Sequence, residues 1–187
     1  MKLWDKLMCT CRRRSPWLFH LNTGSCNGCD IELVAAMTPR YDAEQLGVRL
    51  EGSPRHADIL VVTGPVTHNS LEAIKTVYGQ VYGPKAVVAI GSCPATTNVF
   101  IDSRTLDGPL NKHIPVDVFV PGCPPRPDAI LQGVAKAAEI LAARGNSLPV
   151  EPVVMPLVGP GCGGACACGN VTQSVESNAA ESGAGHE

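Results

Sequence analysis

Between Trp17 and Arg144 the pattern of apolar positions alternates between two periods: short β-rich runs that stop at glycine or proline, then stretches with apolar residues three and four positions apart. Trp17–Asn22 predicts a first strand. Gly24–Asp30 reads as a loop that opens a helix near Ile31–Met37, closed by Thr38-Pro39. Val48–Glu51 predicts a second strand. Ala57–Thr63 (ADILVVT) is almost continuously apolar and ends at Gly64-Pro65, the pattern of a strand buried on both faces. Thr67–Tyr82 then carries Leu71, Ile74, Val77, Tyr78 and Val81 at helical spacing. Lys85–Gly91 and Val116–Pro121 predict two further buried strands, and Pro127–Ala143 a helix that turns Ile130, Leu131, Val134, Ala138 and Leu141 inward. Strands alternating with helices in this way predict a single α/β domain, with a flavodoxin-like parallel sheet and helices on both faces.

Residues 15–148 hold this pattern. Before them, 1–14 alternates basic and apolar residues (Lys2, Leu3, Trp4, Lys6, Leu7, Met8), which suits a short docking segment and suits a solvated terminus equally well. After them, 149–187 is rich in Gly and Pro and then polar, so disorder is expected toward its end. No apolar run approaches the roughly 20 residues of a membrane-spanning helix. Arg12-Arg13-Arg14 invites a twin-arginine export reading, but Pro16 and His20 break the stretch after it before a hydrophobic region forms, and a cytoplasmic protein is expected.

Charge removes one class of function. Fifteen Lys+Arg against 17 Asp+Glu leave a net charge of -2, which provides no global field for nucleic acid. Nine cysteines in 187 residues are too few for a secreted disulfide scaffold, and their odd number suits ligands in a reducing compartment.

Four of these cysteines fall at one kind of place. Cys26 and Cys29 follow the first predicted strand, Cys93 follows the strand ending at Gly91, and Cys123 follows the strand ending at Pro121. In a parallel sheet these strand ends share one edge, so three loops deliver four thiols to one site. Convergent thiols can hold a metal, form disulfides or pack as small hydrophobes. Structural zinc usually draws on two local CxxC pairs, whereas only Cys26-Asn27-Gly28-Cys29 is such a pair here, which favours an iron-sulfur cluster and leaves zinc open. Gly24, Gly28, Gly91 and Gly122 allow the backbone to approach a bulky inorganic group. Prolines follow at Cys93-Pro94 and Cys123-Pro124-Pro125 and stiffen those loops. A helix starting just after Cys29 is expected to stabilise thiolates through its positive end.

Gly24-Ser25-Cys26-Asn27-Gly28-Cys29-Asp30-Ile31-Glu32, Thr38-Pro39-Arg40-Tyr41-Asp42-Ala43, Gly52-Ser53-Pro54-Arg55-His56-Ala57-Asp58 and Pro121-Gly122-Cys123-Pro124-Pro125-Arg126-Pro127 resemble the small subunit of membrane-bound, energy-converting NiFe hydrogenases. That family is similar to the complex I subunit that holds the terminal 4Fe-4S cluster. The resemblance covers about residues 15 to 143, with 63 residues between Cys29 and Cys93 and 29 between Cys93 and Cys123. It implies one 4Fe-4S cluster on Cys26, Cys29, Cys93 and Cys123. It also implies a large subunit holding nickel and iron, a ferredoxin-like iron-sulfur subunit, ion-pumping membrane subunits, and a peripheral position on the cytoplasmic face of the membrane. Complex I proteins of this type carry adjacent cysteines at the first position, so the CNGC pair here favours the hydrogenase branch. A complex I-like quinone or sulfur reductase is the alternative, and a zinc-binding assembly module is the alternative of another class.

Other residues carry weaker signals. Gly159-Pro160-Gly161-Cys162-Gly163-Gly164 formally matches a dinucleotide fingerprint but lacks the following helix and strand. Cys162, Cys166 and Cys168, with Cys9 and Cys11, could serve a second metal centre, and tail cysteines are the simpler reading. Glu32 is expected to stabilise the first helix turn, with a proton relay as the rival role. Arg55-His56 should lie at the edge opposite the cysteines. Arg126 either raises the potential of a nearby cluster or is a surface residue. His20, His68 and His113 have no spacing that suggests ligation, and no nucleophile-base pair appears, as expected of an electron carrier.

Overall fold

The computed structural model describes residues 10–11, 13–101, 103–144 and 153–154. The docking segment expected at 1–14 and the tail cysteines Cys9, Cys162, Cys166 and Cys168 therefore lie largely or wholly outside the described residues.

In chain order the elements are β1 (Trp17–Asn22), α1 (Gly28–Met37), β2 (Arg49–Leu50), β3 (Ile59–Thr63), β4 (Val66–Thr67), α2 (His68–Gln80), β5 (Ala86–Ile90), α3 (Ser92–Thr96), β6 (Leu106–Gly108), β7 (Val118–Val120), α4 (Pro127–Arg144) and β8 (Val153–Val154). The main sheet has the order β2-β1-β3-β5-β7-β8 and every pairing in it is parallel. The chain leaves β1 toward β2 and then crosses back to β3 on the other side of β1. This reversal is the switch point at which flavodoxin-like sheets open a crevice beyond their strand ends.

β3 and β5 are buried at every position, as continuous apolar runs dictate. Their side chains divide between two layers. Ile59, Val61, Val88 and Ile90 face the layer of α1 and α4, while Leu60, Val62, Val87 and Ala89 face the layer of α2. Ile74 is the fully buried anchor of α2, and Leu71, Val77 and Tyr78 pack around it. The Thr67 hydroxyl and Ser70 close a capping box at the start of α2.

At the edge where the strands begin, the carboxylate of Asp117, 3% exposed, locks three elements. It accepts the Val87 amide at 2.8 Å and pairs with the Arg144 guanidinium, which also donates to the Lys85 carbonyl at 2.6 Å.

The structure departs from the sequence expectations in four places. α1 starts at Gly28, not near Ile31, because Asn27 takes the left-handed conformation (φ 68°) that turns the chain directly into the helix. The second strand contracts to Arg49–Leu50. Val66–Thr67 and Leu106–Gly108 form a separate antiparallel pair, and Val153–Val154, from the stretch beyond 149, adds a parallel strand beside β7.

Candidate metal centre

All three cysteine loops leave the same edge of the sheet. Cys26 lies between β1 and α1, and Cys29 lies in the first turn of α1. Cys93 lies in α3, which Gly91 joins to β5, and Cys123 follows β7 by three residues. β3 separates β1 from β5 and contributes no thiol, but it supports the first loop. Its end accepts the Thr23 amide on the Thr63 carbonyl at 3.0 Å, and the Thr23 hydroxyl bonds to the carbonyls of Thr63 and Gly64. Gly64, at φ +87°, passes so close to Ser25 that a Cβ there would meet its amide nitrogen at 2.4 Å.

Burial grades the thiols. Cys29 is buried, Cys93 is partly buried, and Cys26 and Cys123 are exposed; none of the four is in a disulfide. Burial pushes the Cys29 thiol up to about 12, with further contributions from Cys93, Cys26, Cys123 and Asp30. Burial also raises Cys93, followed by Cys123 and Cys26. For both thiols desolvation is the largest cause, and the neighbouring cysteines add to it. Two thiols that resist ionisation, with two exposed thiols beside them, form a donor set that a cationic, thiophilic group would complete.

Among the described residues, no three His, Cys, Asp or Glu side chains gather closely enough to share a single metal ion. Yet the four thiols are near enough to repel one another as thiolates. The backbone makes room: a Cβ on Gly91 (φ +94°) would come within 2.7 Å of the Cys29 sulfur, and one on Gly28 within 3.6 Å of the Cys26 sulfur. The donors therefore suit an iron-sulfur cluster, which Cys26, Cys29, Cys93 and Cys123 could hold together.

Two features of this edge escape sequence reasoning. Asp30 is bound by His20, Asn22 and Thr63, although nothing in the spacing links these residues. Large apolar side chains flank the cysteines in the open: Ile31 and Val34 on α1, and Val99 (83% exposed), Phe100 and Ile101 beyond α3. The sequence does mark the latter, since Val-Phe-Ile follows the Cys93 loop where no buried element is predicted. Of the weaker candidates, Arg126 is exposed next to α4, Glu32 is partly exposed, and Arg55-His56 lies in a turn before β3, at the edge opposite the cysteines. His68 and His113 bond to the carbonyls of Arg104 and Asp107, away from the thiols.

The chain is thus a parallel, flavodoxin-like α/β domain that presents four thiols from three loops at one sheet edge. The family model of the NADH ubiquinone oxidoreductase 20 kDa subunit matches residues 26–137, and the chain belongs to this family. It is 64% identical over 135 residues to a probable membrane-bound hydrogenase subunit of Pyrococcus furiosus, covering 72% of this chain and 81% of that one. It is 38% identical over 143 residues to an NADH-quinone oxidoreductase subunit of Citrifermentans bemidjiense, covering 76% and 82%. Among solved structures it is similar to a chain of the membrane-bound sulfane sulfur reductase, an archaeal respiratory membrane complex, with a TM-score of 0.65, 37% identity and coverage of 74% and 76%. Its relatives are thus subunits of oxidoreductase complexes, as the motifs imply. Among the described residues no helix is long and apolar enough to cross a membrane.

Proposed function

We propose that this chain is the electron-transfer subunit of a membrane-bound, ion-pumping NiFe hydrogenase complex and holds one 4Fe-4S cluster on Cys26, Cys29, Cys93 and Cys123. The observation that carries this reading is the convergence of four thiols from three loops on one sheet edge, with Gly91 left bare against the Cys29 sulfur. When bound, the cluster supplies one-electron transfer between ferredoxin-like iron-sulfur partners and a large subunit that reduces protons at nickel and iron. The chain's own part is to fix the four sulfurs and to keep water from Cys29. Its exposed apolar groups, Ile31 and Val34 on one side and Val99, Phe100 and Ile101 on the other, present a surface that a partner subunit can dry. In this reading the chain lies peripherally on the cytoplasmic face, held by membrane subunits.

The likeness to a sulfane sulfur reductase supports a second reading, in which the same subunit serves a complex I-like reductase without nickel. The higher identity to the hydrogenase subunit favours the first. Metal analysis of the intact complex with a hydrogen-evolution assay separates them. Nickel with hydrogen production is expected; an active complex that contains this chain but no nickel and evolves no hydrogen overturns the hydrogenase assignment.

A further inference from the structure

Asp30 follows the candidate ligand Cys29 directly, yet its carboxylate turns back into the fold. One oxygen, Oδ1, accepts the Thr63 hydroxyl at 2.5 Å and lies 2.8 Å from His20 Nε2, which is itself 2.9 Å from the Thr63 hydroxyl. The other, Oδ2, accepts the Asn22 side-chain amide at 2.8 Å. Asn22 also reaches the loop: its Oδ1 accepts the amides of Gly24 and Ser25, each at 2.9 Å. These contacts join the ends of β1 and β3 to the first turn of α1, and they enclose the whole Cys26–Cys29 loop.

A carboxylate needs no such set of partners merely to suit a helix N-terminus, where water and the first-turn amides suffice. Here three side chains from two neighbouring strands hold it at a fixed place, with its side chain only 16% exposed. A fixed negative charge near a redox group opposes the arrival of an electron, and it does so more strongly when water is displaced. Hydrogen-bond donors on the same carboxylate spread its charge and weaken that opposition.

We infer that Asp30 is a positioning and potential-setting residue of the electron-transfer site: it fixes the Cys26–Cys29 loop through Asn22, and the Thr63 hydroxyl tempers its charge. This rests on the reading that the four cysteines hold an iron-sulfur cluster. The two roles predict shifts of opposite sign. Asp30→Asn removes the charge and raises the midpoint potential. Thr63→Val removes a donor, sharpens the charge and lowers the potential, while Thr63→Ser keeps the hydroxyl and leaves the potential native. Simple loosening of the loop would move the Asn and Val variants the same way.

The test is an EPR-monitored redox titration of the complex containing the full chain, purified anaerobically, with iron and acid-labile sulfide measured on each preparation. Full iron and sulfide with potentials displaced in opposite directions, and a native value for Thr63→Ser, is the expected result. Unchanged potentials, or shifts of one sign in both variants, overturn the inference. If Asp30→Asn does not assemble the group, the Thr63 pair decides alone: equal potentials for Val and Ser overturn it. Native protein with neither iron nor labile sulfide overturns the cluster reading itself, a failure visible before any variant is compared.

Discussion

The hydroxyl of Ser92 donates to the Gly122 carbonyl at 3.2 Å and accepts the Gly122 amide at 3.4 Å, so the residues immediately before Cys93 and Cys123 hold each other. The Ser92 amide adds a third bond to the same carbonyl at 2.9 Å. Two of the three cysteine loops are therefore stapled together without any metal.

Ser92→Ala keeps the amide bond and loses the other two. Its expected cost is about 1 kcal/mol, that of a partly buried hydrogen bond. Urea denaturation of the metal-free chain measures that loss, and chelator-driven iron release from the loaded chain should run several-fold faster.

Gly91→Ala tests the room beside Cys29. A Cβ there meets the sulfur at 2.7 Å at a φ of +94°, a strain of about 1–3 kcal/mol before the overlap is counted. The variant should fold weakly and fail to retain iron. Gly79→Ala in α2, where a Cβ meets nothing within 4 Å, should by contrast be neutral or stabilise by about 0.5–1 kcal/mol. Iron content and thermal melting of the two variants, side by side, distinguish a site effect from a general glycine effect.

Serine in place of Cys26, Cys29, Cys93 or Cys123 should each lose or convert the cluster, because a missing thiolate leaves an iron without its ligand. Full iron, full labile sulfide and a native EPR signal in Cys93→Ser or Cys123→Ser would remove that residue from the ligand set. Zinc without labile sulfide in the native chain would instead select the assembly-module reading.

The metal-free protein should be sensitive to alkali. Burial carries the Cys29 thiol from an ordinary 9.0 to about 12 in the folded state. Between these values the unfolded chain releases this proton and the folded chain keeps it, so stability present below pH 9 falls as pH rises toward 12. Denaturation of reduced apoprotein at pH 8 and pH 10 should show the decline, and Cys29→Ala should flatten it. Iodoacetamide at pH 8 should label the exposed Cys26 and Cys123 well before Cys29.

How far the sequence is legible depends on the physics of each element. ILVVT and AVVAI announce buried strands because both their faces are covered, and a parallel sheet then obliges the cysteines after β1, β5 and β7 to share an edge. β4 and β6 have two and three residues, too short to display a period, and β8 lies among prolines and glycines. Gly28-Cys29-Asp30 does not look like a helix start; Asn27 makes it one by its backbone conformation, which no periodicity encodes. His20 and Asp30 meet only because α1 begins where it does. The raised pKa values of Cys29 and Cys93 depend first on burial and then on cysteines brought in from other loops, which no local motif shows.

Asp117→Ala tests the opposite end of the molecule. It strands the Arg144 guanidinium and leaves the buried Val87 amide without its acceptor, for an expected loss of about 3 kcal/mol or more. Iron binding should survive at temperatures where the variant remains folded, since no cysteine touches this lock. A variant that is fully stable to urea would show that the lock adds nothing.

Of the four ligand candidates only Cys29 belongs to either apolar layer of the sheet; Cys26, Cys93 and Cys123 stand outside both. A zinc finger, whose metal is its core, has no shape until it is loaded. This chain is arranged the other way: its two apolar layers are complete without three of the four sulfurs. If the four thiols hold a cluster, a copy without it should keep its shape, with Cys26 and Cys123 open to an incoming group.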